Sequence, residues 1–102
     1  MKILFYDTKP YDQDSFEKQL PNYPGIELDY FKTDLVPKTA RLTEGFDAVC
    51  AFVSSDIGKE TLEILHEKGV KLVLLRCAGF NNVDISTAKN LGIRVMRVPG
   101  YS

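Results

Sequence analysis

The chain has 102 residues, 44% apolar and 26% charged, with 13 basic against 14 acidic groups and no tryptophan. That length suits one domain with a single layered core, burying roughly two-thirds of its unfolded surface, and leaves no room for a second lobe. A net charge of −1 with the cations scattered singly excludes the electrostatic footprint of a nucleic-acid or anionic-membrane binder. The apolar run after Met1 breaks at Asp7, too early for a signal peptide, and no run is long enough to span a bilayer. The expectation is a cytoplasmic protein with neither membrane nor nucleic-acid partners. Cys50 and Cys77 lie in apolar runs without a Cys-x-x-Cys pair or a nearby histidine, so they are expected to be reduced core thiols rather than a disulfide or a metal site.

Short apolar runs alternate with stretches of helical period along the whole chain, the signature of βα units. Ile3 to Tyr6 is a continuous apolar run, as a strand buried on both faces requires. Asp12 or Asp14 is expected to cap a short helix through Leu20, with Phe16 and Leu20 on its inner face and Pro21 and Pro24-Gly25 stopping it. Ile26 to Phe31 alternates and is more polar, which suits an edge strand. A weak helix is expected around Thr39 to Leu42, then a central strand from Asp47 to Val53. Ser54-Ser55-Asp56 offers N-cap residues for a helix from Ile57 to Lys68. In that helix Ile57, Thr61, Leu62, Ile64 and Leu65 share one arc, opposite Lys59, Glu60, Glu63 and Glu67. Gly69 ends it, and Val70 to Leu75 forms the fourth strand. Asp84 caps a helix through Leu91 with Ile85, Ala88 and Leu91 inward and Gly92 just past its end, and Ile93 to Val98 is the fifth strand. Right-handed crossovers then imply an α/β fold: a flavodoxin-like open parallel five-stranded sheet of order 2-1-3-4-5, helices on both faces, with the polar second strand at an edge.

In such sheets ligands gather beyond the carboxyl ends of the strands. The seven glycines never fall two apart, so there is no GxGxxG fingerprint and no P-loop, and no cofactor is expected to bind this chain. His66, the single histidine, falls on the border of a polar helix face away from the strand ends and is read as a solvated side chain rather than a base. The turn from Arg76 to Asp84 is unusual: a cation, small residues at Ala78 and Gly79, and two asparagines that tolerate positive φ. Close-packed N–H groups there could form an anion-binding nest for a carboxylate or phosphate. A tight turn whose asparagines merely satisfy the backbone is the alternative.

The phrase Leu74-Leu75-Arg76-Cys77-Ala78-Gly79-Phe80-Asn81-Asn82-Val83-Asp84, with Gly92-Ile93-Arg94-Val95 and Val98-Pro99-Gly100-Tyr101-Ser102, closely resembles the D-2-hydroxyacid dehydrogenase family over the whole chain. With Val49-Cys50-Ala51-Phe52-Val53 it resembles most the NAD-dependent D-lactate dehydrogenase branch, which interconverts pyruvate and D-lactate. The resemblance implies that the backbone amides of Ala78 and Gly79 hold the substrate carboxylate. It also implies that the Tyr101 hydroxyl helps bind substrate and that Phe52 borders the side-chain pocket, favouring a methyl over larger groups. Arg76 matches an arginine at the strand end, read as structural. No residue of the chain is assigned as catalytic or as a metal ligand. The family's catalytic arginine and histidine and its NAD-binding Rossmann domain belong to a further domain, so the 102 residues are expected to be an N-terminal substrate-binding lobe, inactive alone. A helix returning from the end of the family's chain also completes this lobe, so its uncovered surface is expected to drive self-association.

The same sheet also hosts free-standing binding or oligomerisation modules without enzymatic activity. A receiver domain needs an acidic pair after the first strand, where Asp7 stands alone, and a flavodoxin needs a hydroxyl-rich phosphate loop, where Asp7-Thr8-Lys9-Pro10 offers one threonine. A purely structural module is the reading that competes with the dehydrogenase lobe.

Overall fold

A computed structural model describes residues 1–52, 55–76 and 83–97, with the backbone alone at residues 11, 12, 15, 16, 19 and 20. Five strands, β1 (Lys2–Phe5), β2 (Glu27–Tyr30), β3 (Ala48–Ala51), β4 (Leu72–Leu75) and β5 (Arg94–Arg97), form one sheet of order β2-β1-β3-β4-β5. Every pairing is parallel, with Leu4 beside Asp29 and Val49, and Leu74 beside Met96. Helices α1 (Pro10–Gln19), α2 (Pro37–Ala40), α3 (Lys59–Glu67) and α4 (Ile85–Asn90) fill the crossovers and lie on both faces. The order is the one expected, and β2, which alternates exposed and half-buried residues, is indeed an edge.

The period-two alternation of the strands sorts the core into two layers. Leu4, Tyr6, Val49, Ala51, Val73 and Leu75 pack with Ala40, Leu62, Leu65 and Ala88 of α2, α3 and α4. Ile3, Phe5, Ala48 and Cys50 form the opposite layer, joined by Leu28, Tyr30, Leu72 and Leu74. Cys50 is buried in this layer, as expected of a core residue, and Cys77 falls outside the described residues.

Two expected helix starts are corrected. Helix α1 begins at Pro10, so Asp12 and Asp14 lie inside it rather than capping it. The Lys9 carbonyl accepts from Gln13 N–H (3.2 Å), and proline at the first helical position has no N–H to leave unsatisfied. The inward placement expected of Phe16 and Leu20 lies outside the described side chains. Helix α3 begins at Lys59 after Gly58, with no side-chain cap. The segment before it is engaged elsewhere: Ser55 Oγ accepts from Leu35 N–H (3.0 Å), Asp56 N–H donates to the Leu35 carbonyl (2.9 Å), and Ile57 bridges to Val83. These long-range bonds keep Ile57 out of the helix, although it is fully buried as its apolar character requires. Ser54 falls outside the described residues.

The remaining ends follow local chemistry. The Asp84 carboxylate accepts from Thr87 N–H (3.1 Å), and Gly69 and Gly92 hold φ of +92° and +75° just beyond α3 and α4. Ile85, expected inward on α4, is instead 44% exposed. Ala88 is buried and Leu91 half-buried, so the short helix meets the sheet along a narrower stripe than its apolar residues could fill. With Ala88, Lys89, Ile93 and Val95, Ile85 lines a shallow groove of about 300 Å³ beside β5. The weak helix expected at Thr39 to Leu42 is α2 followed by a 3-10 turn at Arg41–Thr43.

Candidate functional site

Because all five strands run the same way, the residues following β1, β3 and β4 meet at one edge of the sheet. Arg76, directly after β4, is the largest fully enclosed side chain there at 2% exposure. Its guanidinium donates to the carbonyl of Tyr6 and, at 3.4 Å, to that of Asp7. It also lies over two rings, 5.9 Å from the centre of Phe5 and 5.4 Å from that of Phe52. Carbonyl dipoles and aromatic faces both favour a cation and so help to compensate its charge. The reading of Arg76 as structural agrees with this geometry, which sequence reasoning did not specify. The available signal was a cation ending a strand whose other residues are all apolar.

The β1 end is shaped by the same contacts. Asp7 holds φ +50°, a left-handed conformation that Asp tolerates better than bulkier residues. Its N–H donates to the Thr33 carbonyl (2.8 Å), and the N–H of buried Thr8 donates to that of Phe31 (2.9 Å). The Asp7 carboxylate pairs with Lys9 Nζ at 3.0 Å, with Lys9 largely in solvent. Behind this turn, Tyr6 is fully buried, packs edge-on against Phe31 with ring centres 5.8 Å apart, and donates its hydroxyl to the Thr39 carbonyl at 2.8 Å. Burial pushes its phenol above the ordinary tyrosine value.

Phe52, the candidate wall of the side-chain pocket, is half-buried directly after β3, with its ring beside Arg76. Ala78, Gly79 and Tyr101, the other candidate substrate contacts, fall outside the described residues. Asp84, at the far end of that turn, caps α4. The Thr87 backbone N–H, then the Thr87 hydroxyl at 2.8 Å, hold its carboxyl below the usual range. His66 is exposed on the last turn of α3, away from the strand ends.

Chemically, this edge offers a rigid, partly aromatic wall around a committed cation. Among the described residues, no three His, Cys, Asp or Glu side chains are placed to hold a metal, and no helix is long and apolar enough to cross a membrane. Nor do the described residues fit a dinucleotide: the turn after β1, Asp7-Thr8-Lys9, has no glycine to let the backbone approach a pyrophosphate.

A parallel sheet of order β2-β1-β3-β4-β5 with its candidate site at the strand carboxyl ends defines an α/β domain of flavodoxin-like order. Within that class the chain belongs to the D-isomer specific 2-hydroxyacid dehydrogenase family, matching its catalytic domain over residues 3–102. It is 48% identical over 101 residues to the D-lactate dehydrogenase of Escherichia coli, covering 99% of this chain and 30% of that protein. The solved structure of Salmonella D-lactate dehydrogenase superposes with a TM-score of 0.93 at 47% identity, covering 100% of this chain and 31% of that one. An NAD-complexed D-isomer specific 2-hydroxyacid dehydrogenase from Lactobacillus delbrueckii gives 0.87 at 27% identity, again over 100% of this chain and 31% of its own. The chain thus spans about 30% of the length of the curated relatives it matches.

Proposed function

We propose that the chain is the substrate-binding lobe of an NAD-dependent D-lactate dehydrogenase acting in the cytoplasm on pyruvate and D-lactate. In this reading the backbone amides of Ala78 and Gly79 cradle the substrate carboxylate and the Tyr101 hydroxyl adds a hydrogen bond. Phe52 limits the side chain to a methyl-sized group. The observation that carries it is the family match over residues 3–102, joined to Phe52 standing at the carboxyl end of β3. NAD and the acid and cation that hydride transfer requires would come from the rest of a longer polypeptide, as the glycine spacing and the turn after β1 both suggest.

The test is spectrophotometric. A complete polypeptide carrying this chain should oxidise NADH with pyruvate, and the purified 102 residues should not. Turnover by the short chain overturns its assignment as a lobe, and a complete polypeptide inert toward every 2-oxo acid supports the non-enzymatic module instead. Half-buried Leu72 and Leu74 share a sheet face with Met96, 49% exposed, which supports self-association of the 102-residue chain through that face. Sedimentation should show association that Met96→Glu weakens, and a stable wild-type monomer at high concentration overturns it.

A further inference from the structure

We propose that Arg76 is the positioning residue for Phe52 and, through that ring, sets how large a 2-oxo acid side chain the site accepts. This inference rests on the function proposed above. Phe52 is half-buried directly after β3, and the Arg76 guanidinium lies 5.4 Å from its ring centre. That group cannot itself drift: Phe5 of β1 lies against it at 5.9 Å, and the carbonyls of Tyr6 and Asp7 accept its hydrogen bonds. A cation hydrogen-bonded to the turn after β1 and lying against the ring after β3 therefore transmits the β1–β3–β4 register to one side chain at the site. Lysine cannot reproduce this, because a point charge on a flexible stem has no planar face to lay against the ring. A purely structural Arg76, closing the sheet end, would affect folding and leave selectivity untouched.

The experiment uses the complete polypeptide and compares kcat/KM for pyruvate with that for 4-methyl-2-oxopentanoate in wild type, Arg76→Lys, Arg76→Gln, Phe52→Leu and Arg76→Lys with Phe52→Leu. Arg76→Lys and Arg76→Gln should shift the ratio toward the bulkier acid by about tenfold, in the same direction as Phe52→Leu. In the Phe52→Leu background Arg76→Lys should change the ratio by less than about twofold, because the ring it positions is gone. A lower melting temperature with an unchanged ratio overturns the proposal, as does a shift that persists in full without Phe52. A wild type inert toward both acids defeats the functional reading instead.

Discussion

Replacing Tyr6 with phenylalanine removes one oxygen from the core and leaves the edge-on contact with Phe31 in place. The lost group donates to the Thr39 carbonyl at 2.8 Å and ties the end of β1 to α2. A neutral hydrogen bond contributes about 1 kcal/mol net, and a carbonyl left facing an apolar ring adds up to about as much again, so the cost at pH 7 should be about 1–2 kcal/mol. In a domain of this size each kcal/mol moves the melting temperature by roughly 4–8 °C. Alkaline pH supplies a second, sign-specific signature. Burial raises the native Tyr6 phenol above its ordinary value, so above pH 10 the native state keeps a proton that the unfolded chain releases. The stabilisation is complete below pH 10 and is lost as pH climbs toward the native value. The limiting slope is about 1.4 kcal/mol per pH unit. Tyr30, raised by burial and by the charges of Glu17 and Asp29, titrates alike in both proteins and cancels. Urea denaturation of wild type and Tyr6→Phe, followed by circular dichroism at pH 7 and pH 11, should therefore show a stability gap that narrows in alkali. A variant as stable as wild type at pH 7, or a gap that widens at pH 11, refutes the reasoning.

Leu65 is fully buried between α3 and the sheet, so Leu65→Ala should cost about 3 kcal/mol through lost burial and a residual cavity; thermal melts showing less than about 1 kcal/mol would mean the core there collapses freely. Asp84 has its carboxyl lowered by the Thr87 backbone and hydroxyl bonds, so its contribution is present above the unfolded value near 3.8 and lost as pH falls through the native one. Acid titration of Asp84→Ala should lack that component of the wild-type decline, and superimposable acid limbs would count against the cap. At Gly69, φ is +92° and an added Cβ would meet nothing within 4 Å, so Gly69→Ala should cost about 1 kcal/mol from backbone strain alone. A neutral result by chemical denaturation would show that the turn re-forms in another conformation.

Much of the fold was legible because it is written in local pattern. The apolar runs of β1, β3 and β4, the polar alternation of β2, and the Asp84 cap and Gly92 stop all report periodicities of two or 3.6 and the chemistry of helix ends. The pattern misled where a distant segment competed for the same backbone groups. Ser55 and Asp56 have the chemistry of caps, yet the Leu35 N–H donates to the Ser55 hydroxyl, the Leu35 carbonyl accepts from the Asp56 N–H, and Val83 draws Ile57 into a bridge. Of the candidate site, the phrase around Ala78 and Gly79 pointed to the family, and Phe52 stands at the strand end where the βα reading put it.

The residue sequence thus determined the α/β class, the five strands, the edge position of β2 and the family, each carried by residues near one another in the chain. The enclosure of Arg76, its reach to Tyr6 and Asp7 some seventy residues earlier, and the left-handed turn at Asp7 were decided by tertiary structure alone. The physical reason is that a guanidinium after an apolar strand stays in water unless carbonyls and rings from other parts of the sheet offset the cost of burying its charge. Only the closed register of β1, β3 and β4 brings them there.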